Sequence, residues 1–448
     1  MNAAAKTARR RTDSAAGRRP YSEAVVARTL STGARLFVLE NHLNPTIAIS
    51  GSLRAGGLFA PPERRIVASV TAGELVKGTQ RRTKLEIAED LESRGASLSF
   101  SSDSSDPVGV DIGASALSRH TELLFDRLVE ILTMPSFPPD ELEKERKRLV
   151  GSIRQQQDQT SVRAYEAAMR RIYPAGHPLT RKRGEELIAL VESLKRGDLV
   201  AHYDRRYGGA TLQLVVVGDV EANRVFDFLD EKLSSWRAGS PEEIRQPGIP
   251  PPAPGRETVE MPEKASADVV LAAPSNLTRS EAAYLPCTLA NSALGQSPLT
   301  SRLGVRVRDK EGLTYGIHSS FHAGHLPGPF TVTLTVKPES RSAAVRATLD
   351  EIARFLKTGL TPKELADEKS SRIGKFKVDL GSNSGLASGI DAAVYYGLGI
   401  AYLDEFPARI VRITKEEADA EFRKRVHPDQ FTFVSAGSFG AKDAGGRK

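Results

Sequence analysis

The chain has 448 residues, 40% hydrophobic and 27% charged, long enough for two cores of about 200 residues each and of ordinary composition for a globular protein in water. No run approaches the roughly 18 consecutive apolar residues a membrane span needs, so no membrane partner is expected. The net charge of +7 is a property of the ends: residues 1–20 carry Lys6, Arg9, Arg10, Arg11, Arg18 and Arg19 against Asp13, and residues 440–448 carry Lys442, Arg447 and Lys448 against Asp443. The body between is neutral, which argues against a nucleic-acid partner, since that requires Lys and Arg clustered on a structured face.

From the N-terminus, residues 1–22 read as a disordered, solvated basic tail. Rich in Ala and Arg and nearly free of acids, it is composed like a transit peptide, yet it has no Leu, Ile, Phe or Val for an apolar face and no secretory core. A cytoplasmic location is expected. The stretch "VASVTAGELVKGT" at 67–79 reads as a helix that breaks at Lys77-Gly78-Thr79. Its Ser69, Ala72 and Gly73 stand at i, i+3 and i+4, one helix face, where His and Glu side chains could grip a metal. None of the three can. Glu74 beside them reads as a solvated or salt-bridged carboxylate. After Pro139 a long helix sets Leu142, Leu149 and Ile153 on one face, and its Glu141, Glu143, Glu145, Lys144, Arg146, Lys147 and Arg148 read as a solvent face of i, i+4 pairs.

"LQLVVVGDV" at 212–220 reads as a strand ending the first half. From Trp236 to Pro262 the chain holds seven prolines and almost no apolar periodicity, a semi-rigid extended linker. Cys287, the only cysteine, sits in the apolar "YLPCTLANSAL" and reads as a buried structural thiol. "HSSFHAGH" places His318, His322 and His325 close together, at what reads as an exposed hairpin tip. "FTVTLTVKP" at 330–338 alternates as a strand.

The halves repeat each other. "FPPDELEKERKRLVGSI" at 137–153 answers "LTPKELADEKSSRIGKF" at 360–376, so that Pro139 and Pro362, Leu142 and Leu365, Glu145 and Glu368 are all 223 apart, as are Tyr173 and Tyr396, which close the next helix. "FTFVSAGSF" at 431–439 answers the strand at 212–220 with an offset of 219. The expected fold is α+β: two homologous domains, each a mostly antiparallel sheet packed with helices, joined by the Pro-rich linker. The expected boundaries are tail 1–22, first domain 23–236, linker 237–262, second domain 263–440 and a disordered tail 441–448. There is no Gly-rich phosphate loop and no GxSxG elbow.

From about residue 25 onward the chain resembles the pitrilysin-type, or inverzincin, metallopeptidases, relatives of insulinase and the mitochondrial processing peptidase. That family carries HxxEH on a first-domain helix, two zinc ligands and a general-base Glu, with a third ligand Glu on a later helix. Aligned on "AGG" at 55–57 and "KGT" at 77–79, the first His falls on Ser69, the Glu on Ala72, the second His on Gly73, and the distant Glu on or near Ser152 in "ERKRLVGSIRQ". The resemblance implies no zinc in this chain, no cofactor of its own, and no peptidase activity alone. In "LTSRLGVRVRDKEGLTYGI" at 299–317, Arg308 and Tyr315 match the Arg and Tyr with which the family holds the substrate backbone. The resemblance therefore implies a non-catalytic, peptide-binding subunit of a heterodimeric zinc metallopeptidase, lending Arg308 and Tyr315 to an active site whose zinc sits on an HxxEH-bearing homologous partner. Two other readings stand beside it: a purely structural or interaction protein of the same fold, and an independent metalloenzyme using His318, His322 and His325.

Overall fold

The computed structural model describes residues 19–103, 105–239, 241–248, 250–251 and 253–439. Most of the expected basic tail and all of 441–448 lie outside these residues. The first sheet has six strands, β1 Val26–Thr29, β2 Arg35–Glu40, β3 Thr46–Leu53, β4 Ser97–Ser101, β5 Val110–Leu117 and β6 Leu212–Gly218, ordered β1-β2-β6-β3-β5-β4. The second has β7 Gly255–Glu260, β8 Ala267–Leu277, β9 Gly316–Phe321, β10 Gly328–Val336 and β11 Thr432–Gly437, ordered β7-β11-β8-β10-β9. Each is antiparallel but for one pair, β2 with β6 and β7 with β11.

Helices of the first half are α1 Ile66–Glu74, α2 Lys84–Glu92, α3 Thr121–Thr133, α4 Pro139–Gln157, α5 Thr160–Ile172, α6 Gly184–Ser193, α7 Arg196–Arg206 and α8 Ala222–Leu233. The second half supplies α9 Tyr284–Asn291, α10 Arg341–Thr358, α11 Pro362–Asp379, α12 Asn383–Tyr395, α13 Ala401–Arg412 and α14 Lys415–Arg423. No described helix is long and apolar enough to cross a membrane. Thr83 and Thr361 cap α2 and α11 as capping boxes with Glu86 and Glu364. Cys287 is fully buried, and desolvation pushes its thiol up to about 12.

Two expected boundaries move. The linker read over 237–262 stops short, because Gly255–Glu260 is β7, paired in parallel with β11 along its whole length. No proline falls between Pro254 and Pro262, so the strand keeps its N–H groups free to join the ladder. The tail read as 1–22 also ends early: Tyr21–Ala24 forms a helical turn, and the Tyr21 and Ser22 N–H groups donate to the Asp404 carboxylate at 2.7 and 2.9 Å.

The 223-residue offset has a spatial meaning. α5 and α12 are counterparts at that offset, and each packs on the sheet of the other half. Leu386, Ala387, Ile390 and Ala393 of α12 cover Phe37, Leu39, Ala48, Val215 and Val217 of the first sheet. Ala164, Ala167, Ala168, Met169 and Ile172 of α5 cover Val270, Ala272, Val434 and Ala436 of the second. Each exchanged helix is pinned at its first residue: the Thr160 hydroxyl donates to Asp268 at 2.6 Å, and the Asn383 amide donates to the Thr46 hydroxyl at 2.9 Å. Asp391 of α12 accepts from Gln213 at 2.6 Å and Ser50 at 3.1 Å, and burial pushes its carboxyl up to about 6.

Because each sheet borrows a cover from the other half, the two halves should unfold together. Ile390→Ala and Met169→Ala, at side chains 0% and 1% exposed, should each lower stability by about 2–5 kcal/mol within one cooperative urea transition. Two separated transitions would contradict the exchange.

Candidate functional site

Between the domains lies a cavity of 1090 Å³ lined from both. One wall is the second sheet, where register places Gly316 and His318 of β9 beside Thr335 and Thr333 of β10, and those beside Asp268 and Val270 of β8. The first domain supplies Ile66 and Ser69 of α1, Ser161 and Tyr165 of α5, the chain leaving β4 at Ser101–Asp103, and Arg181 and Lys182.

α1 has two faces. Val67, Val70 and Ala72 belong to the first-domain core. Ser69 lines the cavity, its hydroxyl turned back to the Ile66 carbonyl at 3.1 Å. Gly73 is half-buried, and a Cβ placed there meets nothing within 4 Å. Ser152 is half-buried on α4 and accepts from the Gln156 amide at 3.4 Å. Ile66 packs in one small cluster with Val150 and Ile153, so α1 and the Ser152 stretch of α4 are neighbours. The four positions assigned by resemblance to a zinc site thus hold a hydroxymethyl, a methyl, a hydrogen and a second hydroxymethyl. They do not fit a catalytic zinc, which takes three His, Glu, Asp or Cys ligands. Among the described residues no group of three or more His, Cys, Asp or Glu is placed to hold a metal.

The three histidines do not converge. His322 is half-buried, bonded through Nε2 to the Thr331 hydroxyl at 2.9 Å and packed near Tyr165. His325 lies against Tyr395 and Tyr396, with centroids 4.5 and 5.1 Å away. Burial holds both below the usual imidazole range. The exposed hairpin tip expected here is tucked against aromatic rings of both halves, because α5 and α12 reach across to it. His318 alone is exposed.

Arg308 sits on a wide-turned π-helical segment, Gly304–Lys310, and is half-buried. Neighbouring arginines are engaged: Arg302 pairs with Glu364 at 2.6 Å, and Arg306 with Glu311 at 3.0 Å. Among the described residues the Arg308 guanidinium has no hydrogen-bond or ion-pair partner. Tyr315 immediately precedes Gly316 of the cavity wall, and its N–H donates to the Thr335 carbonyl at 2.9 Å. The residue is 60% exposed. Neither Arg308 nor Tyr315 lines the cavity itself; Tyr315 stands at its rim.

Glu74 is a correction. Read as solvated or salt-bridged, it is fully buried with neither carboxylate oxygen hydrogen-bonded. Desolvation, then the charge of Glu145, push it up to about 7. Glu145 is held by Arg148 at 2.5 and 2.7 Å, so its own charge is spoken for. The periodicity of α1 put Glu74 beside the degenerate positions, but α4, distant in the chain, is what covers it, and no local pattern announces that. Since folding raises this pKa above the ordinary 4.5, the native state holds a proton that the unfolded chain releases. Its stabilising contribution is complete below about 4.5 and is lost as pH rises through about 7. Glu74→Gln should flatten stability across that interval and leave the variant more stable at about pH 8, by on the order of 1–3 kcal/mol. Urea titrations at about pH 5 and pH 8 check this; parallel curves for both proteins would contradict it.

Comparison with known proteins agrees with this architecture. Residues 39–183 match the family model described as insulinase (peptidase family M16), and residues 193–372 match the model described as peptidase M16 inactive domain. A Helicobacter pylori protein named non-peptidase homolog YmxG is 21% identical over 399 residues, covering 88% of this chain and 90% of that protein. A Bacillus subtilis protein named uncharacterized zinc protease YmxG is 24% identical over 365 residues, covering 80% and 84%. Among solved structures, a peptidase M16 inactive domain protein from Pseudomonas fluorescens superposes with a TM-score of 0.84 at 24% identity, covering 93% of this chain and 98% of that one. A protease from Helicobacter pylori superposes at 0.80 with 15% identity, covering 92% and 99%. Matched in both halves and sharing the fold of solved relatives, this chain belongs to the insulinase-type M16 peptidase family.

Proposed function

We propose that this chain is the non-catalytic, peptide-binding subunit of a heterodimeric zinc metallopeptidase. A homologous subunit bearing HxxEH carries the zinc, and this chain lends it Arg308 and Tyr315. The observation that carries the reading is a contrast between two sets of positions. Those that resemble metal ligands hold side chains with no capacity for zinc, while Arg308 and Tyr315 keep a guanidinium and a phenol that are unpartnered among the described residues, Tyr315 well exposed. An unspent guanidinium and a rim phenol are available to a second chain, and both donate to a carbonyl oxygen as negative charge develops on it.

The peptide's resting place in this reading is the interdomain cavity, alongside the edge of β4. Among the described residues β4 has only β5 as a strand neighbour, and its last residue and the next two line the cavity. An edge strand offers unpaired main-chain groups to an extended peptide and gives affinity with little sequence selectivity. A second reading, an interaction protein with no part in proteolysis, draws on the Helicobacter pylori relative named as a non-peptidase homolog.

The test is peptide hydrolysis by this chain mixed with an HxxEH-bearing homologue from the same organism, with and without a chelator. Activity should appear only in the mixture and vanish on chelation. Arg308→Ala and Tyr315→Phe should each depress kcat/KM by about 100-fold while the complex still elutes as a heterodimer. Unchanged rates would sink the shared-site reading, and silence in every mixture would favour the interaction protein.

A further inference from the structure

His318 is the one ionisable side chain that β9 turns into the cavity, since Gly316, His318 and Ser320 alternate with the inward Ile317, Ser319 and Phe321. Its ring is fixed from behind: Nδ1 lies 2.9 Å from the Gln296 main-chain carbonyl. A carbonyl oxygen only accepts, so Nδ1 carries the hydrogen, and in the neutral ring Nε2 is left with a lone pair. Among the described residues Nε2 has no partner. The segment that anchors it is also firm. Asn291, which closes α9 just ahead of the π-helical turn Ser292–Gln296, exchanges hydrogen bonds with Ser319 through its side-chain amide, at 2.9 Å to the Ser319 carbonyl and 2.7 Å from the Ser319 hydroxyl. The ring is therefore oriented by its own bond and by the anchored residue next to it, and it belongs to a residue that lines the cavity.

We propose that His318 is a peptide-contacting residue of the cavity, its Nε2 accepting a main-chain N–H from an extended peptide lying along the β9–β10–β8 wall. The inference rests on the reading that the cavity receives peptides, and deepens it by naming an acceptor on the wall across the cavity from α1. The tautomer set by Gln296 makes the contact selective for a donor: a peptide N–H fits it, and a carbonyl does not. A peptide whose N–H at that point is replaced by N-methyl or proline should bind less well.

Two substitutions separate contact from scaffolding. Asn at this position places an amide N–H near the Nδ1 position and keeps the Gln296 bond but has nothing at Nε2; Gln reaches the Nε2 position and gives up the bond to Gln296. Fluorescein-labelled casein peptides, titrated by anisotropy with the full chain in its HxxEH-partnered complex, provide the readout. His318→Asn should weaken binding about three- to tenfold, and His318→Gln should stay within about twofold of the parent. The opposite pattern would make His318 a loop anchor, and two parent-like variants would remove any role; either overturns the inference. If peptides bind and Tyr315→Phe still slows hydrolysis while both His318 variants are silent, only this inference fails. If the unsubstituted complex binds no peptide, the reading of the cavity fails with it.

Discussion

The exchange of α5 and α12 between the halves is the constraint on which the rest of the molecule depends. β6, "LQLVVVG", is buried along its full length, which a sheet with one solvated face does not allow. Its second cover comes from α12, and β8 receives the same service from α5. The polar pins at Thr160 and Asn383 fix the helices lengthwise, and apolar faces of Ala, Leu, Ile and Met fix them in depth. An interdomain cavity results, since the same α5 that covers β8 also presents Ser161 and Tyr165 to the space in front of α1.

This arrangement explains why a metal site can be absent without a void in the core. On α1 the residues that carry the core, Val67 and Val70, point away from Ser69 and Gly73. A side chain missing at Gly73 leaves open space, so no packed neighbour loses its contacts. A glycine inside a helix still costs about 0.5–1 kcal/mol relative to Ala, a small sum against the shared cores. Glu74 marks the same corner electrostatically: an unpaired buried carboxyl, facing Glu145 and Glu141 of α4, is tolerated because it can remain protonated.

Much of this was legible in the residues. The repeat at 223 located α4 against α11 and α5 against α12, and apolar alternation located β10. It did not say that the paired helices trade places, because an amphipathic helix records that it has an apolar face and nothing about whose sheet it meets. β7 was hidden in the linker: "GRETVE" alternates polar residues with only Val259 as an aliphatic, and its burial is correspondingly partial. Carrying the repeat back to β2, which starts 220 residues earlier, was the signal that would have found it. Ser69 and Tyr315, singled out by resemblance, lie at the wall and at the rim of one cavity. The histidine cluster misled, because proximity in sequence is not convergence of side chains; of the three only His318 lines the cavity, while His322 is spent on Thr331 and His325 on Tyr395 and Tyr396.

A peptidase fold and its cavity are kept here on a chain whose Ser69, Ala72, Gly73 and Ser152 offer no ligand set for a catalytic zinc. The most direct measurement is elemental analysis of the purified chain after incubation with zinc and desalting, read alongside peptide hydrolysis by the same sample. Far less than one zinc per chain and no hydrolysis above background are expected. One zinc per chain, accompanied by chelator-sensitive hydrolysis, would contradict the assignment of Ser69, Ala72, Gly73 and Ser152 as positions without metal-binding capacity.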